Sequence, residues 1–254
     1  MPFTLAHPAA VLPLRGRPRL DFAALVTGSL TPDFGYYLLM PGMRFETHSF
    51  AGGIEICLPV GLALLLLFHA LKRPLCEALP QPHRGALLPL VSQPVSLKPL
   101  ALLTAAASVL LGVWTHLLWD AFTHRGSWGP QHLPLLRSEL FTVAGKVYWL
   151  SDLLQWLSSA AGLLVLVLGY RRWLRQQPLH IGDGGEKQRR LWLVGLTVLA
   201  MVLALPFTQH RTQYFSGLRA YAFQEWVHAA AFFSLTLVIY ALLRRRIAGG
   251  NKDP

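Results

Sequence analysis

The residues best suited to chemistry lie in the run 115–124, which reads Thr-His-Leu-Leu-Trp-Asp-Ala-Phe-Thr-His. His116, Asp120 and His124 recur at i, i+4 and i+8, which places them on one ridge of an α-helix. Neutral imidazole nitrogen and carboxylate oxygen are the usual ligands of zinc and similar divalent ions. A cation would also give a buried Asp120 the partner that it needs. The spacing alone is equally compatible with a hydrogen-bonded helix end and a solvated His124.

Three polar residues earlier in the chain are further candidates for the same site. Asp33 follows Thr31-Pro32 at the end of an apolar arm, although such a residue is more often part of a turn or a cap. His48 precedes Ser49, which is expected to cap the start of a helix. His7 opens the first apolar arm, and it returns to the side of Asp33 if the two arms fold back on each other. Taken singly, His7 and His48 are more often ordinary polar residues.

Apolar runs set the elements that must position these residues. A bilayer crossing needs roughly 20 mostly apolar residues. Five segments meet this length, about 52–71, 100–122, 150–170, 191–207 and 223–243, and the fourth is expected to end at Pro206. The two arms within 3–33 are each too short to cross, so they predict a helical hairpin, re-entrant or at the interface. The fold class is therefore an all-α polytopic transmembrane helix bundle of about five spans plus this hairpin.

The composition agrees with a membrane protein. Hydrophobic residues make up 53% of the 254 residues and charged residues only 14%, whereas about a quarter of an ordinary soluble domain is charged. This balance excludes a disordered chain and disfavours a soluble enzyme. The net charge is +11, but the basic residues are scattered between apolar runs and form no face for a nucleic acid.

The basic residues also predict the orientation of the bundle. With the C-terminus inside, 17 of the 23 Lys and Arg residues fall on the cytoplasmic side. We therefore expect one integral membrane domain over 1–254, with the hairpin and an outer loop in 1–51, the bundle in 52–243 and a cytoplasmic tail in 244–254. Ionisable residues are costly to place in a bilayer, and here they gather at the outer ends of the spans. This favours a pocket open to one side over a conduit for ions or protons. Glu225 and His228 open the last span and are expected to serve packing or a second shell.

Several motifs resemble a bacterial family of uncharacterised membrane proteins. They are Met1-Pro2-Phe3-Thr4-Leu5-Ala6-His7-Pro8-Ala9, Gly28-Ser29-Leu30-Thr31-Pro32-Asp33-Phe34, Thr47-His48-Ser49, and Thr115-His116 through to His124. The order of these motifs is similar to that of the membrane-bound metal-dependent hydrolases of the bacterial inner membrane. That resemblance implies a shell of metal ligands, most simply for zinc, at His7, Asp33, His48, His116 and Asp120.

The first hypothesis is thus a metal-dependent hydrolase with a site at the outer membrane face. Its catalytic residues would be Asp120 and His124, the latter as a ligand or general acid/base. A site at headgroup depth suggests a phosphoester or another bond in a lipid or lipid-linked substrate, with membrane lipids as the partners.

The alternative is a non-enzymatic structural or partner-binding membrane protein with a polar hydrogen-bonded network. The sequence departs from the hydrolase pattern at Gly35-Tyr36, where an acidic residue is common, at Phe45-Glu46 in place of His-Arg, and at Thr115 in place of Ser. These departures favour the alternative. A transporter is a third hypothesis, and the one-sided gathering of the ionisable residues argues against it.

Overall fold

A computed structural model describes residues 4–37, 46–92, 96–143, 145–178, 184–212 and 217–250. The end of the predicted tail, 251–254, and the first residue of the predicted hairpin lie outside the described residues. The helices, in chain order, are α1 (Pro8–Val11), α2 (Phe22–Leu30), α3 (Phe34–Tyr37), α4 (Phe50–Ala78), α5 (His83–Val91), α6 (Pro99–Thr123), α7 (Trp128–His132), α8 (Leu150–Arg175), α9 (Glu186–Thr212) and α10 (Leu218–Gly250).

Five long apolar helices, α4, α6, α8, α9 and α10, contain the candidate membrane spans. These spans are 23–29 residues long, and the protein buries only 17–33% of the most apolar window of each. Helices of this length and hydropathy can cross a bilayer, and their unburied apolar side chains are left for lipid. The protein is therefore an all-α, multi-pass membrane protein, which confirms the predicted fold class.

The predicted N-terminal hairpin is also present. Its first arm runs through 3-10 turns on both sides of α1, from Thr4 to Leu14, and its second arm is α2 with the 3-10 turn Thr31–Asp33. Asp21 caps α2, because its side chain accepts a hydrogen bond from the Ala24 N–H. The backbone N–H of Asp21 in turn donates to the Ser108 hydroxyl on α6 at 2.9 Å. The hairpin is thus attached to α6 at the start of its second arm.

Two glycines let α2 lie directly against α6. A Cβ atom added at Gly28 would lie 2.1 Å from the Val109 carbonyl oxygen, and one added at Gly112 would lie 2.2 Å from the Leu25 carbonyl oxygen. Small residues of this kind allow close backbone approach between membrane helices. The core beside this contact contains Ala24, Val109 and Val113. This contact sets the position of the end of α2 relative to the second half of α6.

The boundaries differ from the prediction in the fourth span and in the loops. The fourth helix does not end at Pro206 but continues to Thr212. A proline removes one helical hydrogen bond, and membrane helices tolerate this loss. The long loop after the first span contains α5. The loop after the second span contains an antiparallel hairpin of β1 (Glu139–Val143) and β2 (Lys146–Trp149), turning at Gly145 with a φ of +75°.

The chain divides into two compact units. The first comprises Met1–Phe34, Gly42–Leu65 and Ser96–Trp173, and the second comprises Gly35–Pro41, Leu66–Val95 and Leu174–Pro254. Within the second unit, Glu186 at the start of α9 accepts a hydrogen bond from the Gln81 N–H and pairs with Arg84 at 3.7 Å. The organisation as a single membrane domain stays a prediction.

Candidate metal centre

The predicted site residues converge in the first unit, where several separate segments supply them. His7 precedes α1, and Asp33 ends the 3-10 turn after α2. His48 lies just before α4, while His116 and Asp120 lie one turn apart near the end of α6. The Thr47 hydroxyl donates to the Pro32 carbonyl at 2.9 Å, which holds the His48 segment against the Asp33 turn. The Ser49 side chain accepts from the Gly52 N–H, as predicted for a cap of this helix.

Four separations among the predicted ligand atoms match the edges of a metal coordination shell. His48 Nε2 lies 3.4 Å from Asp33 Oδ1 and 3.5 Å from Asp120 Oδ2. His116 Nε2 lies 3.8 Å and 3.5 Å from the same two oxygens. A tetrahedral edge is about 1.63 times the metal-to-ligand distance, so these edges correspond to about 2.1–2.3 Å, against roughly 2.0–2.2 Å for zinc with nitrogen and oxygen. The spacing fits a divalent ion.

Hydrogen bonds outside this group fix which ring nitrogens face the centre. His116 Nδ1 lies 2.8 Å from the Ser29 carbonyl oxygen, so Nδ1–H donates there and Nε2 keeps a lone pair. His48 Nδ1 lies 3.2 Å from the Thr47 hydroxyl, whose own proton goes to Pro32. Asp33 Oδ2 accepts from the Thr4 hydroxyl at 2.6 Å. Supporting bonds of this type orient the ligands of metal sites and fix the tautomer of ligating histidines.

Buried polar atoms at the centre lack hydrogen bonds. Across the described residues, His7 Nδ1 and Nε2, His116 Nε2 and Asp120 Oδ1 are buried with no hydrogen-bond partner. His7 is 1% exposed and His116 is fully buried. A buried polar group without a partner costs on the order of 1–3 kcal/mol, and coordination to a cation would remove this cost. The side chains of His48 and His124 are the more exposed members, at 17% and 16%, so access to the centre lies on their side.

The charges around the centre have opposite effects on the pKa values of His7 and His48. Burial, together with the neighbouring His116, lowers the pKa of His7 to about 3, so this ring is neutral at pH 7. Burial also opposes a charge on His48, but its hydrogen bonds to Asp120 and Asp33 outweigh burial and raise its pKa to about 9. The pKa of Asp33 is lowered, because the His48 and Thr4 hydrogen bonds outweigh burial. Without a metal, His48 therefore carries a proton between two carboxylates.

The structure brings all five predicted ligands together, and their role as ligands stays a prediction. Two groups have ligand atoms within 4.8 Å of one another: His7, Asp33 and His116, and His48, His116 and Asp120. His124 follows α6, and its Nδ1 lies 3.5 Å from Asp120 Oδ1.

One side chain at the centre was missed by sequence reasoning. Gln155 of α8 is buried, with its amide nitrogen 3.3 Å from His124 Nε2. The signal available for it was a stripe of polar residues at helical spacing in an otherwise apolar span, comprising Ser151, Gln155 and Ser159, all of which are buried. Nearby, Trp119 Nε1–H donates to the Ser158 hydroxyl at 3.0 Å, which attaches α6 to α8.

Two other ionisable groups have structural partners. Asp152 accepts hydrogen bonds from Arg125 Nε at 3.0 Å and from the Trp149 N–H at 2.8 Å, and Arg125 also donates to the Val147 carbonyl of β2. In the second unit, His228 is buried with its Nδ1 2.9 Å from the Thr208 hydroxyl, which agrees with a role in packing.

Comparison with known proteins identifies a family. A family model described as "Domain of unknown function (DUF4184)" matches residues 1–244. No curated protein and no solved structure matches the chain.

Proposed function

The chain belongs to the DUF4184 family of unknown function, and we propose that it is a metal-dependent hydrolase of the membrane that acts on a lipid or phosphoester substrate. The observation that carries this proposal is the spacing of Asp33 Oδ1, His48 Nε2, His116 Nε2 and Asp120 Oδ2, among which four separations of 3.4–3.8 Å fit a single coordination shell.

Zinc is the ion that we propose. Two imidazole nitrogens and two carboxylate oxygens form a donor set that suits zinc, with Asp33, His48, His116 and Asp120 holding the ion. When bound, a divalent ion supplies Lewis acidity, which lowers the pKa of a coordinated water toward about 7. A closed shell of four protein ligands would be structural, so the proposal requires that water or substrate enter beside them, from the side of His48 and His124.

The protein groups have separate tasks in this proposal. Asp33 and Asp120 supply negative charge that offsets the ion. Ser29 and Thr47 hold the rings of His116 and His48 in place through the bonds described above. His124 lies on the accessible side beside the buried Asp120, and it acts either as a further ligand or in proton transfer at its ring nitrogen.

The surroundings of the centre support a lipid or lipid-linked substrate. Phe50 at the start of α4 is 68% exposed and stacks on Trp114 of α6 with ring centroids 5.3 Å apart. Leu118, on the turn of α6 between His116 and Asp120, is 63% exposed. Exposed apolar side chains at this level of a membrane helix contact acyl chains or headgroups. A reacting bond at the headgroup of a lipid would therefore reach the centre.

We place the centre on the outer face of the bacterial inner membrane, with the C-terminus cytoplasmic. The orientation follows from the bias of Lys and Arg, 17 of 23 on the inner side. The bacterial membrane and the hydrolase class rest on the resemblance of the N-terminal half to the membrane-bound metal-dependent hydrolases.

The test combines metal content with hydrolysis. The full chain, purified in detergent, is expected to contain zinc and to release phosphate from phosphatidic acid vesicles. A chelator should abolish the activity, and added Zn²⁺ should restore it. His116→Ala should lower both metal content and activity while leaving the helix content by circular dichroism unchanged. The matched control is His132→Ala, because His132 is an exposed histidine of α7.

Different outcomes separate the hypotheses. A chain that binds no divalent metal, with a chelator changing neither stability nor activity, would refute the proposal. Metal binding without hydrolysis of either the vesicles or soluble p-nitrophenyl phosphate would support the alternative of a non-enzymatic, partner-binding membrane protein.

A further inference from the structure

We infer that the centre holds two divalent ions that share the Asp120 carboxylate, one on each oxygen. This inference rests on the proposed function and deepens it. The two oxygens of Asp120 have different neighbours: Oδ2 lies 3.5 Å from both His48 Nε2 and His116 Nε2, whereas Oδ1 lies 3.6 Å from His7 Nε2 and 3.5 Å from His124 Nδ1. The two oxygens thus face two different pairs of histidines.

Ring orientation separates His7 from the first ion. The His7 and His116 rings are stacked, with centroids 3.7 Å apart and planes only 19° apart. The lone pair of an imidazole nitrogen lies in the plane of its ring. Two nearly parallel planes at this separation cannot both direct a lone pair at one ion about 2.1 Å away. Distance alone would allow His7 and His116 to share an ion, but the stacking assigns them to different ions.

Two separations around Asp120 Oδ1 match those around the first ion. Separations of 3.5 Å and 3.6 Å around Asp120 Oδ1 correspond to metal-to-ligand distances of about 2.1–2.2 Å in tetrahedral geometry. The atoms concerned are His7 Nε2, Asp120 Oδ1 and His124 Nδ1. Three protein ligands leave a position open for water or substrate, which is the arrangement of catalytic rather than structural sites.

His7 supplies the independent observation for this second position. It is 1% exposed, and neither of its ring nitrogens has a hydrogen-bond partner among the described residues. Asp120 Oδ1, 3.6 Å from His7 Nε2, is also buried without a hydrogen-bond partner among the described residues. A second ion between them would satisfy both groups, which the first ion leaves unsatisfied.

Gln155 completes the outer shell of the second position. Its amide faces His124 Nε2 at 3.3 Å. With the amide oxygen turned toward the ring, Nε2–H donates to it, and Nδ1, which lies 3.3 Å from the Asp120 carbonyl oxygen and 3.5 Å from Asp120 Oδ1, carries the lone pair for the ion. This is the same arrangement that the Ser29 carbonyl provides for His116.

Two ions held by a shared carboxylate favour a phosphoester among the proposed substrates. Such pairs stabilise both the attacking and the leaving oxygen of an in-line displacement at phosphorus. A phosphoester at a lipid headgroup or in a free phosphate compound would fit equally. Phosphatidic acid vesicles and soluble p-nitrophenyl phosphate, assayed in parallel, distinguish these two sources.

The experiment measures metal stoichiometry on the full-length protein. The metal-free chain, titrated with Mn²⁺, should bind two equivalents and give the electron paramagnetic resonance spectrum of an exchange-coupled pair. His7→Ala should bind one equivalent and give the spectrum of an isolated ion. His132→Ala should keep two equivalents and the coupled spectrum.

The possible results separate this inference from the proposed function. One equivalent in the unchanged chain, with an isolated-ion spectrum, would overturn the pair of ions and leave a metal-dependent hydrolase standing. No bound metal would overturn both. If His7→Ala fails to fold, the stoichiometry and spectrum of the unchanged chain still decide the question.

Discussion

Replacing Gly112 with alanine tests whether the close contact of α2 and α6 positions the centre. The added Cβ would lie 2.2 Å from the Leu25 carbonyl oxygen and 2.8 Å from the Ser29 backbone nitrogen. Both contacts are with backbone, so no side chain can move aside and the two helices must separate. Overpacking of this kind costs about 1–3 kcal/mol, and we expect the upper end. At about 2–4 °C per kcal/mol, the apparent melting temperature should fall by about 6–12 °C.

The same substitution should weaken metal binding. Moving Ser29 away from α6 lengthens the 2.8 Å hydrogen bond that its carbonyl oxygen accepts from His116 Nδ1–H. Loss of such a supporting bond typically lowers metal affinity by about 10–100-fold. The assays are thermal unfolding in detergent and Zn²⁺ titration of the metal-free protein.

The matched control is Gly169→Ala on α8, because no atom lies within 4 Å of a Cβ added there. Its stability should stay within about 1 kcal/mol of the unchanged chain, with any gain reflecting the helix propensity of alanine. If Gly112→Ala matches this control in both melting temperature and zinc affinity, the helix contact does not position the centre.

Three further predictions concern pH, the β-hairpin and topology. Because the pKa of His48 without metal is about 9, a bound metal must displace its proton at neutral pH. The affinity for metal should therefore rise by up to about tenfold per pH unit and level off near pH 9. Calorimetry in buffers of different ionisation enthalpy counts the protons released on binding, and no release at pH 7 would contradict this. Arg125→Ala should cost about 1 kcal/mol or less, since the Asp152 pair is partly exposed, yet it should speed hydrogen exchange in 139–149, and unchanged exchange would mean that the arginine does not hold the hairpin. Alkaline phosphatase inserted at Gly126 should be active and the same reporter after Gly250 inactive, and the reverse pattern would place the centre on the cytoplasmic face.

The sequence was sufficient to predict the spans and the ridge on α6. Long apolar runs predict the spans, and the four-residue spacing of His116, Asp120 and His124 predicts the ridge. Both signals are local in the sequence. The return of His7 to the side of Asp33 followed from reading two short arms as a hairpin.

The remaining features depend on contacts between distant segments. No local pattern shows that Gly28 and Gly112 pack backbone to backbone, and that contact decides how near Asp33 comes to His116. Gln155 was missed because a lone amide in an apolar span carries little signal until its partner, His124, is placed beside it. The helical path through Pro206 also depends on the surroundings of the helix, since proline alone favours a break.

The scattering of the centre along the chain has a consequence for biosynthesis. Its proposed ligand atoms come from residues as far apart as His7 and His124, and the amide beside the last of them lies further on, at Gln155. When the ribosome has released only the hairpin, the nascent chain offers an incomplete set of donors with weak affinity. If the centre binds metal as proposed, metallation therefore follows insertion of the second span and release of His124, and a chain arrested before that point would leave the translocon without an ion.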